Sequence, residues 1–257
     1  MAEVSAREPK PGVRLSAVIP VCDEADNIGP MLAELTRAME SRSVDFEVVV
    51  VNDGSRDATA EIVASIAQRD TRIRLVRHPR NEGYGAALRT GLASTRNDLI
   101  FLTDGDRQFD PAEIDRLLDR IPDADMVVGY RDPRRDPFIR RMNGRAWSWL
   151  VRVVFGVPTR DVDCAFKLMR RPVIESLQAE IFSRGATFSA ELLVRAQRAG
   201  FRIRQVSLSG HRPRPAGRPS GARLSVIRLA FLELLQLRIA LWREDRHQAP
   251  DPARRTT

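Results

Sequence analysis

The chain has 257 residues, of which 43% are hydrophobic, so it is long enough to bury a full core in one large domain or two small ones. Its formal net charge is +8, carried almost wholly by arginine, because Lys10 and Lys167 are the two lysines among 42 basic residues. This balance favours nucleic acid, an anionic membrane surface or phosphorylated ligands as partners, although a genome-wide arginine bias would also produce it. Two cysteines, Cys22 and Cys164, exclude a disulfide framework and predict a reducing compartment.

Short apolar runs alternate with helical patterns over the first half of the chain. The predicted strands are Leu15–Ile19, Phe46–Val51, Ile73–Arg77, Leu99–Thr103 and Met126–Val128. The predicted helices between them are Glu24–Glu40, Arg56–Arg69, Gly85–Ser94 and Pro111–Ile121. Continuous apolar strands separated by helices are typical of an α/β fold with a mostly parallel sheet and right-handed crossovers. Ligands of such sheets bind at the carboxyl ends of the strands.

Two carboxylates, Asp104 and Asp106, come directly after the fourth predicted strand, with Gly105 between them. Side chains at positions i and i+2 point the same way at a strand end, so both carboxylates could converge on one hard cation. Mg²⁺ and Mn²⁺ are commonly held by one or two carboxylates together with substrate phosphates. The alternative is a simple Asp-Gly turn between a strand and a helix.

Two other strand ends carry polar groups or glycines. Asp53 could bind a ribose hydroxyl or a base N–H, whereas Ser55 or Asp57 could simply cap the helix that follows. Gly83 and Gly85 stand at the start of the next predicted helix, where glycine allows a phosphate to approach the backbone N–H groups.

Three ordered motifs resemble those of inverting family 2 glycosyltransferases with the GT-A fold. They are VIPVCDE at residues 18–24, VVNDGS at residues 50–55 and TDGDRQ at residues 103–108. Within that family the chain most resembles the dolichyl- or polyprenyl-phosphate hexosyltransferases of the dolichol-phosphate mannose synthase type. The resemblance covers residues 15 to 221, and it departs from the usual pattern at Cys22, Asp23 and Asn52.

The resemblance implies a nucleotide diphosphate-sugar donor, a UDP- or GDP-sugar, and a Mg²⁺ or Mn²⁺ ion. The nucleotide-sugar would contact Pro20, Asp23, Glu24, Asp53, Gly83 and Asp104. The metal ligands would be Asp106 and Gln108, with Asp104 beside them. The departures at Cys22, Asp23 and Asn52 leave the identity of the base open.

An arginine cluster follows the fifth predicted strand, with six arginines and two aspartates between Tyr130 and Arg145. The guanidinium fork suits phosphate oxygens, so we expect Arg131, Arg140 and Arg141 to hold an acceptor phosphate, and Arg131 resembles the family's arginine near that phosphate. A solvated basic surface is the alternative. The segment Pro137–Val157 interleaves aromatic residues with arginines, which fits a helix lying on anionic lipid or a core helix with a basic outer side.

Three acids in the second half of the chain are candidates for catalytic or positioning roles. Asp161 and Asp163 lie in a segment that resembles the one after the family's acceptor helix, and ion pairs with nearby arginines are the alternative. Glu191 lies on the predicted helix Gly185–Gly200, where an acid deprotonates a sugar hydroxyl in relatives that use hydroxyl acceptors. A phosphate acceptor needs no strong base, so Glu191 would then position the substrate.

A basic loop follows the predicted edge strand Phe201–Leu208, and residues 201 to 223 contain six arginines and no acid. Its prolines and glycines predict a lid, in which Arg214, Arg218 and Ser220 resemble the family's loop that closes over the diphosphate. A disordered basic linker is the alternative. In the lid interpretation, Arg214 assists the departure of the diphosphate.

The predicted organisation is a flexible tail at residues 1–13, a GT-A domain at 14–221, an apolar helix at 222–243 and a polar tail at 244–257. The charges Arg228, Glu233 and Arg238 step around the apolar helix, so we do not expect it to span a membrane. It could pack on the domain, form a homodimer contact or rest on lipid. The N-terminus lacks the apolar region of a signal peptide, so we expect a cytoplasmic protein, peripheral at the cytoplasmic face of the membrane.

The sequence thus predicts inverting, metal-dependent transfer of a sugar to a polyprenyl monophosphate, with Asp106, Arg131, Arg214 and Glu191 as the catalytic candidates. The alternative enzyme is a family 2 transferase with a soluble hydroxyl acceptor, in which Glu191 or Asp163 is the base. A non-catalytic nucleotide or nucleic-acid binding module is the third hypothesis. It would explain the arginines but not the ordered carboxylate motifs, and no nucleic-acid-binding signature is present.

Overall fold

The structure is a computed structural model that describes residues 12–42, 45–136, 138–216 and 224–248. In these ranges the chain forms one seven-stranded sheet with the strand order β3-β2-β1-β4-β6-β5-β7. The strands are β1 Arg14–Val21, β2 Asp45–Asp53, β3 Ile73–His78, β4 Leu99–Leu102, β5 Met126–Arg131, β6 Lys167–Arg170 and β7 Ile203–Leu208. Of the strand pairs in the described ranges, β4–β6 and β5–β6 are antiparallel and the others are parallel, which confirms the predicted mostly parallel sheet.

Helices cover both faces of the sheet. They are α1 Ala25–Glu40, α2 Thr59–Arg69, α3 Tyr84–Ala93, α4 Ile114–Leu118, α5 Phe138–Phe155, α6 Arg171–Leu177, α7 Phe188–Arg198 and α8 Leu224–Gln248. Within the described ranges, no helix combines the length and the hydropathy that crossing a bilayer requires.

Side chains of the central strands alternate between the two faces of the sheet, so the core forms one layer on each face. In β4, Leu99 and Phe101 face the layer that contains α1, whereas Ile100 and Leu102 face the layer that contains α3 and α7. Every residue of β4 is buried because both faces of the strand are covered. Gly91 lets α3 lie directly on the sheet, since a Cβ at this position would be 2.3 Å from Cγ1 of Val18.

Two predicted helices begin or end elsewhere in the structure. The helix predicted over Arg56–Arg69 begins at Thr59, because the Asp57 carboxylate accepts a hydrogen bond from the Thr59 N–H at 3.0 Å and so holds a turn before it. The helix predicted over Pro111–Ile121 is shorter and consists of a 3₁₀ turn, Pro111–Glu113, followed by α4.

The antiparallel strand β6 and the helix α6 were not predicted. The strand is four residues long and begins with Lys167, whose buried charge hides its strand character in the sequence. The segment that separates β6 from β5 is α5 and the loop after it. After this segment, β6 lies between β4 and β5 in the sheet and pairs with both strands. Of the predicted tails, residues 1–11 and 249–257 lie outside the described residues.

Candidate active site

Three carboxylates that the sequence predicted to be functional lie together at the carboxyl ends of β1 and β4. Asp104 accepts a hydrogen bond from the Tyr84 hydroxyl at 3.0 Å, and Asp106 accepts one from the backbone N–H of Gln108 at 3.1 Å. Glu24, just before α1, is close enough to Asp106 for the two charges to raise each other's cost of ionisation. Burial, and then the neighbouring Asp106, raises the pKa of Asp104 to about 7. Burial also raises the pKa of Asp106 and of Glu24, so this half of the site needs a cation.

Arg214 supplies a cation to this cluster. Its Nη2 lies 2.5 Å from Oε1 of Glu24, and its Nη1 lies 3.6 Å from Oδ2 of Asp106. The loop that carries it is held against the end of β4, because the Arg212 N–H donates to the Gln108 carbonyl at 2.8 Å. The structure therefore brings the described part of the predicted lid onto the predicted carboxylates. The other two predicted lid residues, Arg218 and Ser220, lie outside the described residues.

The donor set fits a hard divalent cation. Asp106, Asp104 and the Gln108 side chain offer oxygen atoms, and the raised pKa values of the two aspartates show that the protein itself balances their charge incompletely. In the part of the chain that the structure describes, no group of three or more His, Cys, Asp or Glu residues forms a complete protein cage. Two carboxylates without such a cage are typical of sites where substrate phosphates complete the coordination of Mg²⁺ or Mn²⁺.

Asp53 holds the glycine turn that starts α3. Its Oδ1 accepts hydrogen bonds from His78 Nδ1 at 2.7 Å and from the Glu82 N–H at 2.9 Å, and its Oδ2 accepts one from the Gly83 N–H at 2.9 Å. Gly83 has a φ of 103°, and a Cβ there would lie 2.4 Å from the Arg184 carbonyl oxygen. These contacts give Asp53 a positioning role. Its contact with a base or ribose stays a prediction.

A cavity of about 500 Å³ opens at the carboxyl ends of β2 and β3, next to Asp23. Asp23 adopts a positive φ of 56° because its carboxylate accepts the Arg56 N–H at 2.7 Å while its own N–H donates to Ser55 Oγ at 3.0 Å. Polar side chains line much of this cavity, including Asn52, Ser55, Arg56, His78, Arg80 and Asn81. Pro20 lies at the nearby end of β1, paired in register with Val51.

A second cavity, of about 250 Å³, lies at the end of β5, and five arginines line it: Arg131, Arg134, Arg141, Arg145 and Arg160. We call it the arginine pocket.

The inner arginines of this pocket are already neutralised. Arg131 makes two hydrogen bonds to Asp161, at 2.6 and 2.7 Å, and the side chains of both residues are less than a tenth exposed. Burial alone would raise the pKa of Asp161, but the hydrogen bonds from Arg131 and the charges of Arg131 and Arg134 together outweigh that effect and lower the pKa. Asp136 likewise pairs with Arg134 at 2.6 Å and with Arg140 at 3.2 Å.

The outer arginines of the pocket are free to bind an anion. Among the described residues, Arg141, Arg145 and Arg160 have no acidic partner, and Arg160 stacks on the Tyr130 ring at 4.8 Å. The three arginines predicted to hold the acceptor phosphate therefore differ in their contacts. Arg141 lines the pocket unpaired, Arg131 lines it while bound to Asp161, and Arg140 is not among the lining residues because it turns to Asp136. The sequence did not single out Arg145 or Arg160.

Glu191 is fully buried and has partners away from both half-sites. It forms a salt bridge with Arg195 at 2.9 Å and accepts hydrogen bonds from the N–H groups of Phe182 and Ser183. The next residues, Arg184 and Gly185, belong to the loop that meets the glycine turn before α3, since the Gly85 N–H donates to the Arg184 carbonyl at 2.7 Å. The contacts of Glu191 thus hold this loop, and its catalytic role stays a prediction without a contact to support it.

Asp163 and Lys167 lie beneath the aspartates of β4. Burial, and then the charge of Asp161, raises the pKa of Asp163 to about 6, and within the described ranges no side chain or N–H group donates to its carboxylate. Lys167 Nζ donates to the Val162 carbonyl and to Ser189 Oγ, and burial lowers its pKa. Neither Lys167 nor Tyr84 was identified from the sequence. The position of Tyr84, directly after Gly83 at a helix start, is the one signal that could have found it.

His211 joins the two half-sites. Its Nδ1 accepts a hydrogen bond from the Arg135 N–H at 3.2 Å, and the next residue, Arg212, is bonded to Gln108. The ring is 1% exposed and packs edge-on against Phe109, and its Nε2 has no hydrogen-bond partner within the described residues. Burial, and then the nearby Arg131 charge, lowers the pKa of His211 to about 4. This role could not be predicted from the sequence, because a single histidine in a loop is common.

Solved structures with the same architecture come from glycosyltransferases. Glucosyl-3-phosphoglycerate synthase from Mycobacterium tuberculosis, crystallised with Mn²⁺ and uridine-diphosphate-glucose, superposes with a TM-score of 0.69 at 21% identity and covers 88% of this chain and 79% of its own. The sheet order and this likeness define the GT-A fold predicted from the sequence. The profile of glycosyl transferase family 2 matches residues 16–177, and the chain belongs to that family.

Curated relatives carry names of polyprenyl-phosphate sugar transferases. An undecaprenyl-phosphate 4-deoxy-4-formamido-L-arabinose transferase of Pseudomonas paraeruginosa is 37% identical over 174 residues, which make up 67% of this chain and 51% of that protein. A dolichyl-phosphate beta-glucosyltransferase of Trichomonas vaginalis is 32% identical over 218 residues, or 77% of this chain and 66% of that protein. The chain thus spans about half to two thirds of the length of these relatives.

Proposed function

We propose that the chain transfers a sugar, with inversion, from a nucleotide diphosphate-sugar to a polyprenyl monophosphate, and that the reaction depends on Mg²⁺ or Mn²⁺. The observation that carries the proposal is the pairing of an acidic half-site with a basic one. Asp106 and Arg214 lie on one side of His211, and the arginine pocket lies on the other. Two anionic substrates that must react with each other require this kind of arrangement.

The acidic half-site holds the donor. Asp106 and Gln108, with Asp104 beside them, would hold the metal ion, which when bound neutralises the charge that develops on the leaving diphosphate. Tyr84 orients Asp104 through its hydroxyl. Arg214 lies where it can transfer its guanidinium from Glu24 and Asp106 to the diphosphate oxygens. The nucleoside would lie toward Pro20, Asp23 and the polar cavity at the ends of β2 and β3.

The basic half-site holds the acceptor phosphate. Arg141, Arg145 and Arg160 offer guanidinium groups without acidic partners, whereas Asp161 fixes Arg131 beneath them. A phosphate monoester is already an oxyanion, so it attacks the sugar carbon directly once it is oriented. This explains why the site needs no dedicated base and why Glu191 can be used to hold a loop.

The family comparisons support the same acceptor class, since the curated relatives are named for undecaprenyl-phosphate and dolichyl-phosphate substrates. The neighbouring crystal structure contains Mn²⁺ and uridine-diphosphate-glucose, which supports the proposed metal and donor class. A lipid acceptor would bring the protein to a membrane surface, and the proposal includes a peripheral location on the cytoplasmic face. A homodimer formed through α8, which the sequence left open, is not part of the proposal.

The direct test is a transfer assay on the full chain with radiolabelled UDP- and GDP-sugars, undecaprenyl phosphate in detergent, and either MnCl₂ or EDTA. We expect label in the lipid fraction only when both the divalent ion and the lipid phosphate are present. Asp106→Asn should lower turnover by about 10²- to 10³-fold. Asp123→Asn, which removes an exposed carboxylate from a 3₁₀ turn, is the matched control and should leave turnover unchanged.

A soluble hydroxyl acceptor is the second candidate, and the Asp163 carboxylate favours it. With a pKa of about 6 and no hydrogen-bond donor in the described residues, Asp163 has the properties of a general base. Transfer to water-soluble glycans without lipid phosphate, abolished by Asp163→Asn, would establish this alternative and contradict the lipid acceptor.

A further inference from the structure

The exposed apolar side chains of this protein are confined to two helices. Eleven large hydrophobic residues are exposed in the described part of the chain, and all eleven lie on α5 or α8. We define the α5–α8 face by nine of these: Phe138, Met142, Trp149 and Val153 on α5, and Phe231, Leu232, Leu235, Ile239 and Trp242 on α8. Contiguous exposed apolar surface on a folded domain marks a contact with a partner or a membrane.

One side of α8 is already used for packing on the domain. Its buried residues, Ala230, Leu234, Leu237 and Leu241, recur at the spacing of a single helical stripe. The other apolar residues, such as Leu235, Ile239 and Trp242, lie on the opposite side and are 58%, 41% and 45% exposed. A helix that is apolar on both sides needs a partner on both sides, and within the described residues the outer side has none.

The charged residues of α8 are likewise divided between its two sides, with the acids toward the domain and the arginines outward. Its three acids all face the domain: Glu233 accepts the Arg184 N–H at 2.9 Å, Glu244 pairs with Arg195 at 3.3 Å, and Asp245 pairs with Arg198. Its four arginines, Arg228, Arg238, Arg243 and Arg246, are all exposed and have no acidic partner among the described residues. Between residues 228 and 246, the outward side of α8 therefore carries apolar residues and arginines and no acid.

The helix α5 has the same character and touches α8. It contains four arginines and no acid, and its outward apolar residues recur at positions 138, 142, 149 and 153. Trp147 packs edge-on against Phe231 of α8 with ring centroids 5.9 Å apart, so the two helices are neighbours. Arg145, one turn before Trp149, lines the arginine pocket, which therefore opens beside this apolar stripe.

We propose that the α5–α8 face docks on an anionic lipid bilayer, with its apolar side chains in the headgroup boundary and its arginines on the anionic headgroups. An apolar stripe flanked by arginines and free of acids is the composition of a helix that lies in the membrane interface. A second copy of the chain is disfavoured as the occupant, because a two-fold contact would bring the same unpaired arginines of both copies together. The proposal stands on this surface alone, independently of the transfer reaction.

The test is co-sedimentation of the full chain with vesicles of phosphatidylcholine alone or mixed with phosphatidylglycerol. We expect binding to the mixed vesicles that weakens with added salt. All three tryptophans lie on α5 or α8, so brominated lipid should quench their fluorescence on binding. The triple variant Arg228→Gln, Arg238→Gln, Arg243→Gln should bind about a hundredfold more weakly, at roughly a factor of five per arginine. Leu235→Gln with Ile239→Gln should weaken binding about tenfold or more.

The matched control removes three exposed arginines elsewhere, Arg37→Gln, Arg69→Gln and Arg120→Gln, for an equal change in net charge. Its binding should fall much less than that of the α8 triple variant. Equal losses in the two triple variants, or tryptophan emission that brominated lipid does not quench, would overturn the proposal. So would a dimer in sedimentation equilibrium that Leu235→Gln with Ile239→Gln dissociates.

Discussion

The acidic half-site around Asp106 and the arginine pocket around Arg145 differ in how their charges are balanced. In the acidic half-site, the carboxylates of Glu24 and Asp106 share one cation, Arg214, which belongs to the loop after β7. In the arginine pocket, buried acids on the protein side already neutralise Arg131 and Arg134, and the unpaired arginines lie at the outside. The first half-site lacks positive charge and the second lacks negative charge.

This difference determines which protein contacts each half-site must give up when its ligand binds. In the proposed function, a metal ion held at Asp106 would displace Arg214 from that carboxylate, so donor binding and the position of the loop would be coupled. A phosphate can enter the arginine pocket without displacing a protein group, because Asp161 and Asp136 stay bound to the inner arginines. In the proposed function, the acceptor half-site is therefore preformed, whereas the donor half-site would rearrange on binding.

The largest effect should come from removing the acid beneath the arginine pocket. Asp161→Asn removes the carboxylate that makes two hydrogen bonds to buried Arg131 and leaves Asp136, 3.7 Å away, as its acidic neighbour, which should lower the free energy of unfolding by about 3–5 kcal/mol. Urea denaturation measures this loss. Replacing both residues together, as Arg131→Met with Asp161→Leu, should recover most of the stability. A loss below about 1 kcal/mol would show that the inner arginines are not held by this pair.

The second effect concerns the histidine between the half-sites. The unfolded state binds a proton at His211 below pH 6.5, whereas the folded state does so only near pH 4. The lowered pKa therefore makes the protein less stable as pH falls through this range, by up to about 3 kcal/mol. Buried acids with raised pKa values act in the opposite direction, so the measurement is the difference between wild type and His211→Asn. The variant should lose less stability between pH 6.5 and 4, and parallel curves would contradict the assignment.

The third effect separates the two substrates. Arg145→Gln should raise the KM for polyprenyl phosphate by about tenfold, because a charge-assisted contact to phosphate is lost. The KM for the nucleotide-sugar should stay unchanged. Arg120→Gln, which changes an exposed arginine just before the 3₁₀ turn Ile121–Asp123, is the control and should alter neither constant. A change in the KM for the nucleotide-sugar alone would contradict the assignment of the arginine pocket to the acceptor.

The smallest effect tests the coupling in the donor half-site. Arg214→Gln should tighten Mn²⁺ binding in the absence of nucleotide by about threefold, because a partly exposed ion pair no longer competes for Asp106. The same variant should lower kcat, since the diphosphate loses a guanidinium. Calorimetric titration with MnCl₂ measures the Mn²⁺ affinity, and the transfer assay measures kcat. Weaker Mn²⁺ binding in the variant would contradict the claim that Arg214 competes with the metal ion for Asp106.

Much of the acidic half-site could be predicted from the sequence, because parallel strands bring their carboxyl ends to one edge. Once β1 and β4 were placed, the proximity of Glu24, Asp104 and Asp106 followed from the topology. The pairing of the arginines could not be predicted. Arginine side chains are long, and whether Arg131 binds Asp161 or a ligand depends on a strand, β6, that the buried Lys167 concealed.

The central claim, that two half-sites bind two different anions, is tested most directly by equilibrium binding to a crossed pair of variants. Asp106→Asn and Arg145→Gln would each be titrated with Mn²⁺ plus nucleotide-sugar and, separately, with undecaprenyl phosphate in detergent. We predict that Asp106→Asn loses metal-dependent donor binding and keeps lipid-phosphate binding, and that Arg145→Gln does the reverse. Loss of both ligands in either variant, at unchanged stability, would contradict the division of the site.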